Sequence, residues 1–282
     1  MTHLTRQDVL RHQANVPWPT QHQVEQDLLL SRAMVALFSD TFLKEQIAMR
    51  GGTVLHKVHL APPSRYSEDI DLVAIGERPE EHLRAAIKRV LRPVLGEHKR
   101  WGWESVKLAV RNLAKPSRVL RVIYEVPSVM EQRRVLTVVV EANVTERRPY
   151  NPVARLPFEV GFRGETHSAH VTSFDINEML GTKLRALFQR RRGRDLFDLF
   201  WALSVPSPMP VDASQVIDAF QHYMDMEGSK VPRQGFLDQL DAHLSDRGFC
   251  SDMEPLLRAD LVYDPQAAGV LVRNELLMRL PE

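Results

Sequence analysis

Three groups of residues in this sequence have types and spacings that could do chemistry. The first runs from Gly51-Gly52-Thr53 to Asp69 and Asp71. A glycine pair lets backbone N–H groups come close to phosphate oxygens, and the threonine adds a hydroxyl donor. Asp69 and Asp71 are two residues apart, so on a strand both carboxylates lie on one face. They repel each other there unless a cation sits between them. An all-oxygen pair of this kind suits Mg²⁺, which binds a few carboxylates together with substrate phosphates. A turn and a solvated strand edge would account for the two parts separately; their order along the chain is what argues for one site.

The second group is a single acid. Glu141 is the only acidic residue in the apolar run RVLTVVVEA, where a charge must be paired or bound to metal. Glu141 could therefore be a ligand, with Glu125 as rival for the same role, and pairing with Arg147 or Arg148 is the non-catalytic alternative. The third group is in the last half of the chain. Lys183 falls within the apolar stripe of Ile176, Met179, Leu180 and Leu187, where its amine needs an anion; a triphosphate would serve, and a rim lysine reaching solvent is the alternative. Asp195 and Asp198 are one turn apart on the next helix. Arg190, Arg191, Arg192 and Arg194 form the densest cationic stretch, either an anion site or a solvated helix end.

These groups must be held by elements readable from pattern. A helix is expected over 23–44, then a short apolar entry at 47–49 and a strand over 69–75. A helix over 80–92 ends or kinks at Pro93. Strands follow at 105–111, 118–125 and 134–142, the last central by its β-branched composition. The stretch 147–172, rich in proline, glycine and polar residues, is a connection, and 1–22, with Pro17 and Pro19, a loose arm. Helices are expected over 176–190, 194–203, 213–226, 233–244 and from 270 onward, with Asp175 capping the first and a break at Pro206, Pro208 and Pro210. His56 and His59 are surface or loop residues, Trp101 and Trp103 strand-edge packing, and Ser67 a loop-bonding hydroxyl.

Composition sets the outer limits. The 282 residues are 44% hydrophobic and 26% charged, with a formal net charge of +1. That is enough apolar material for a sizeable core and too even a charge for wholesale coating of nucleic acid. The single Cys250 excludes an internal disulfide and four-cysteine zinc sites. No apolar run nears the ~20 residues that cross a bilayer, and the start does not read as a signal peptide. A cytoplasmic protein is expected.

The string GGTVLHKVHLAPPSRYSEDIDL resembles the polymerase-β-like nucleotidyltransferase superfamily, and more closely the AbiEii family, the nucleotidyltransferase toxins of AbiE and MenAT-type systems. That family's blocks match here at Gly51, Gly52, Thr53, Arg65, Ser67, Glu68, Asp69, Ile70 and Asp71. EMLGTKLRALFQRRRGRDLFDLFWAL is similar to its second block, a lysine on one helix and Arg-Asp-x-x-Asp on the next. The resemblance covers roughly 23–205. It implies an α/β (α+β) fold: a minimal nucleotidyltransferase sheet with helices over 23–150, after the arm at 1–22, and a mainly helical C-terminal domain over 151–282 that completes the site. It implies Mg²⁺ held by Asp69, Asp71 and Glu141. Gly51, Gly52, Thr53, Arg65, Ser67 and Lys183 would hold the nucleotide, and Asp195 would line its pocket. Arg190, Arg191, Arg192 and Arg194 would contact the acceptor backbone, while Asp198 is either catalytic or structural. The implied activity is transfer of NMP from an NTP to a tRNA 3′ end, releasing pyrophosphate and blocking translation, with a cognate antitoxin encoded alongside. Two alternatives remain: a small-molecule or protein acceptor, and a non-catalytic nucleotide-binding module.

Overall fold

A computed structural model describes residues 4–106, 117–205 and 210–282, with the backbone alone for 100–106 and 117. Two compact units are described, 4–106 with 117–174, and 175–282. The first contains α1 (Arg6–Gln13), α2 (Gln21–Ser39), β1 (Ile47–Arg50), α3 (Gly51–Val54), a π-helical turn (Leu55–His59), β2 (Asp69–Ala74), α4 (Glu80–Leu95), β3 (His98–Val106), β4 (Ser117–Pro127), β5 (Val135–Asn143), β6 (Ala154–Phe162) and β7 (Glu165–Ser173). The second contains α5 (Ile176–Gln189), α6 (Gly193–Ser204), α7 (Ala213–Met226), α8 (Arg233–Leu244), α9 (Arg247–Ser251) and α10 (Pro265–Glu275). The fold is mixed α/β, as expected.

The strands form one sheet in the order β3-β4-β5-β2-β1-β7-β6. β2 runs parallel to β5 and β1 parallel to β7, and the remaining pairs are antiparallel. The expected central strand is β5, between β4 and β2, and its burial alternates residue by residue. Ile70, Leu72, Leu120, Val122, Tyr124, Val138, Val140 and Ala142 are all buried, a hydrophobic set on alternate positions. Helices α2 and α4 pack against the sheet. The intervening positions Asp69, Asp71, Arg121, Ile123, Val139 and Glu141 are only half-buried. One face of the sheet is core; the other carries the charges.

Four sequence expectations change. The arm at 1–22 contains α1, started by a capping box in which Thr5 Oγ1 accepts from Asp8 N while Thr5 N donates to Asp8. It is anchored at Asp27, which meets His12 Nε2 at 2.8 Å, Trp18 Nε1 at 2.8 Å and Lys57 Nζ at 2.5 Å. The stretch 147–172 contains the β6–β7 hairpin, so the sheet unit runs on to Phe174 rather than 150. Its two-residue turn, Arg163 and Gly164, has φ of 55° and 82°, the left-handed pair that matches strand twist. Helix α4 passes through Pro93 to Leu95, because a proline near a helix C-terminus removes one late hydrogen bond rather than a central one. His56 and His59 are buried at 1% and 2% exposure. His56 shares a hydrogen bond with Ser64 Oγ and His59 with Ser173 Oγ, so the segment after the glycines is core, not surface.

The strand expected at 105–111 is displaced: β3 is His98–Val106, and 107–111 lie outside the described residues. So do the side chains of Trp101 and Trp103, and Pro206 and Pro208 of the expected break. Of the remaining helices, α7 and α8 lie at the expected bounds, while α2 ends at Ser39 rather than 44 and α10 spans Pro265–Glu275 rather than 270 onward. Among the described residues no helix is long and apolar enough to cross a membrane.

Candidate active site

The glycine block and the Asp-x-Asp strand interlock in the sheet unit. β1 ends at Arg50, and Gly51 turns the chain with φ +86°, a conformation that side chains with a Cβ rarely adopt. A Cβ on Gly51 would sit 2.0 Å from Asp71 Oδ2, and one on Gly52 would sit 2.1 Å from Arg65 Nη2. The glycines therefore admit a carboxylate and a guanidinium against bare backbone. Thr53, 1% exposed, donates to the Asp69 carbonyl at 2.5 Å and shares a 2.8 Å hydrogen bond with the Ser67 hydroxyl. Its hydroxyl fastens the loop to the start of β2. The hydroxyl of Ser67, expected to bond the loop backbone, meets the Thr53 side chain of α3.

Arg65 is 3% exposed and donates from Nη1 to the Tyr66 carbonyl at 3.0 Å. Burial of an arginine beside a glycine fixes the loop before β2, a positioning role visible only in three dimensions.

The three expected carboxylates share the half-buried face. Asp69 and Asp71 alternate along β2, and the parallel register sets Asp71 beside Glu141 and Asp69 beside Val139. The antiparallel registers set Arg50 beside Asp71 and Arg121 beside Glu141. Register partners point to the same side of a sheet, so a charged row runs Arg50, Asp71, Glu141, Arg121 across four strands. Glu141 forms an ion pair with Arg121 at 3.1 Å, rather than with Arg147 or Arg148. Arg147 meets Glu80 and the carbonyls of Val144 and Gly76. Arg50 pairs with Glu146 at 2.5 Å. The rival Glu125 is exposed and bridged to Lys99 at 2.7 Å.

The donor set on this face is carboxylate oxygen throughout, which fits a hard dication. Among the described residues no three His, Cys, Asp or Glu side chains are gathered into a group that could hold a metal ion. Magnesium is bound through one or two carboxylates plus substrate phosphates rather than in an all-protein cage, so the two observations are compatible.

The helical unit builds a different cluster. Asp175 caps α5 by accepting from Asn177 N and Glu178 N. Gly181 allows α7 close, since a Cβ there would lie 2.7 Å from that of Ala219. Lys183 meets Asp198 Oδ2 at 2.7 Å and Asp195 Oδ1 at 3.4 Å. Both aspartates have 0% exposure. Arg190 grips Asp195 with two bonds, 2.7 Å from Nε and 2.9 Å from Nη2. Burial pushes the Asp195 pKa up, but Lys183 and Arg190 outweigh it and hold the group below the ordinary carboxylate range. The inward lysine thus has its anions within its own helix hairpin, and Asp198 is its nearer one.

The arginine run is also partly engaged. Arg191 pairs with Asp246 at 3.3 Å and Arg192 with Asp252 at 3.8 Å, while the backbone N–H of Arg194 donates to Asp252. Arg190, Arg191 and Arg192 are exposed and able to meet a further anion.

Further buried acids include Glu25, which the sequence reading does not single out, and Glu178, which it reads as the capping-box partner of Asp175. Glu25, at 0% exposure, accepts from Ser128 Oγ and Val129 N in the β4–β5 turn. Glu178, also at 0%, accepts from Tyr223 Oη at 2.5 Å.

Residues 32–268 match the family model described as nucleotidyl transferase AbiEii toxin, type IV TA system. The chain is similar in structure to MenT4, a nucleotidyltransferase toxin of Mycobacterium tuberculosis, at TM-score 0.61 and 20% identity over 99% of this chain and 91% of that one. It is also similar to a candidate nucleotidyltransferase from H. pylori, at TM-score 0.53 and 16% identity over 91% and 93% of the two chains. At these identities the likeness is one of fold. No functionally curated protein matches the sequence.

Proposed function

The chain belongs to the AbiEii family of nucleotidyltransferase toxins of type IV toxin–antitoxin systems, and from that premise we propose that it transfers NMP from an NTP to an RNA acceptor, the tRNA 3′ end, in the presence of Mg²⁺. The acceptor hydroxyl attacks the α-phosphorus, the bond to the β-phosphate oxygen breaks, and pyrophosphate leaves. Translation stops as the modified tRNAs accumulate, and a cognate antitoxin encoded alongside restrains the toxin in the cytoplasm.

One observation carries this reading: the glycine block is pressed onto the Asp-x-Asp strand, with a third carboxylate in register on β5. Asp69, Asp71 and Glu141 would hold Mg²⁺, which when bound supplies positive charge to the triphosphate and acidifies the attacking hydroxyl. Gly51 and Gly52 keep Asp71 and Arg65 against the backbone. Thr53 and Ser67 set where β2 begins, and hence where Asp69 and Asp71 lie. The resemblance assigns Lys183 and Asp195 to the nucleotide, with the Lys183 ammonium stabilising negative charge. The exposed arginines 190–192 and Arg194 would touch acceptor phosphates, contacts that give affinity without sequence choice.

The test is transfer of label from each α-labelled NTP to total tRNA with Mg²⁺, resolved on a denaturing gel. One nucleotide labelling tRNA supports the proposal. Label on protein or on a small molecule instead would assign another acceptor. Nucleotide binding without transfer to any acceptor would favour a non-catalytic module.

A further inference from the structure

Glu141 is flanked in register on two sides of β5. On one side, across β2, lies Asp71, with which it can share only a cation; on the other, across β4, lies Arg121. The side chain has turned to the arginine, with Oε1 3.1 Å from Nε. Strand order places β4 and β2 on opposite sides of β5, so this ion pair draws Glu141 away from Asp71. The guanidinium is always charged and cannot itself join a metal shell. It occupies Glu141 only as long as nothing binds that carboxylate more strongly.

We propose that Arg121 is a built-in competitor for the divalent cation, a positioning residue that holds Glu141 in reserve until the cation arrives. In the cation-free protein the guanidinium neutralises Glu141 and turns it toward β4. Cation binding turns Glu141 toward β2 and releases Arg121, whose freed charge then faces the phosphates arriving with the nucleotide. The inference rests on the carboxylate row being the cation site. Both partners are about one-third exposed, 38% for Arg121 and 32% for Glu141, so the competing pair is a weak one. Its removal should tighten cation binding by about two- to fivefold, the range of a pair worth up to about 1 kcal/mol.

The test uses Mn²⁺ uptake by the full chain, read by electron paramagnetic resonance without nucleotide, for the wild type, Arg121→Gln, Glu141→Gln and the double variant. Thermal melts check folding. Arg121→Gln should bind Mn²⁺ about two- to fivefold more tightly, Glu141→Gln more weakly, and the arginine change should have no effect once Glu141 is gone. Arg121→Lys, which keeps charge but not the Nε contact, should fall between wild type and Arg121→Gln. It serves also if the glutamine variant does not fold. Unchanged binding in Arg121→Gln, or equal tightening in the Glu141→Gln background, would overturn the competition while leaving the cation site in place. Wild-type affinity in Glu141→Gln, or no Mn²⁺ uptake by any protein, would overturn the cation site and the competition with it.

Discussion

The two acidic clusters of this protein differ in what surrounds them. On the sheet, Asp69, Asp71 and Glu141 lie on a half-buried face, with Asp71 and Glu141 side by side in register. In the helical unit, Asp195 and Asp198 are sealed at 0% exposure and neutralised by Lys183 and Arg190. The first arrangement leaves its carboxylates partly exposed on the sheet, flanked in register by Arg50 and Arg121. The second matches each charge internally, as a buried ionic group must to be tolerated at all. Acidic residues alone therefore do not mark a reaction centre; exposure and charge balance distinguish the two clusters.

The largest consequence is for stability. Asp198→Ala leaves the Lys183 ammonium with its nearer partner removed, and should lower stability of the helical unit by about 3–5 kcal/mol, read from the urea midpoint of that unit. An unchanged midpoint would break the contrast between the clusters. Next comes Gly51→Ala, which combines an unfavourable φ with displacement of the Asp71 carboxylate. A loss of about 1–3 kcal/mol is expected, with a matching fall in thermal midpoint and reduced transfer.

Acid should separate the clusters further. Asp195 titrates below its ordinary value in the folded chain, so its contribution is complete above the unfolded value of about 3.9 and is lost as pH falls through the folded value. Hydrogen exchange of the α5 and α6 amides should stay constant through neutral pH, after correction for intrinsic rates, and accelerate below about pH 4. Asp195→Asn should lack that acid step. The smallest effect belongs to the exposed Arg191–Asp246 pair. Arg191→Gln should change stability by no more than about 1 kcal/mol, and if Arg191 touches RNA it should lower the salt dependence of tRNA binding by about one unit of slope.

Much of this was legible in the sequence, for identifiable reasons. α7 and α8 are bounded by prolines, an aspartate cap and clean helical periodicity, and these local signals decide their extent. Asp69 and Asp71 could be paired because alternation on a strand is a local rule, whereas Glu141 joined them as the lone acid of an apolar strand and through the family resemblance, its register with Asp71 being non-local. Other features depend on partners distant in sequence. The burial of His56 and His59 is set by Ser64 and Ser173, and the anchoring of α1 by Asp27 and Lys57. The β6–β7 hairpin had a local signal, alternation around Arg163-Gly164, which the surrounding prolines and glycines obscured. The engagement of Lys183 by Asp198, and of Glu141 by Arg121, required the register and the helix packing.

The most direct test of the account is a paired measurement on Asp71→Asn, transfer of labelled nucleotide to tRNA beside the urea midpoint. Asp71 is isosterically replaced on the half-buried face, so the midpoint should stay within about 1 kcal/mol of wild type. Transfer should fall at least about a hundredfold, since the charge that holds the cation is gone. Retained transfer, or a loss of stability as large as that of Asp198→Ala, would contradict the assignment of the sheet's carboxylate row as the reaction centre.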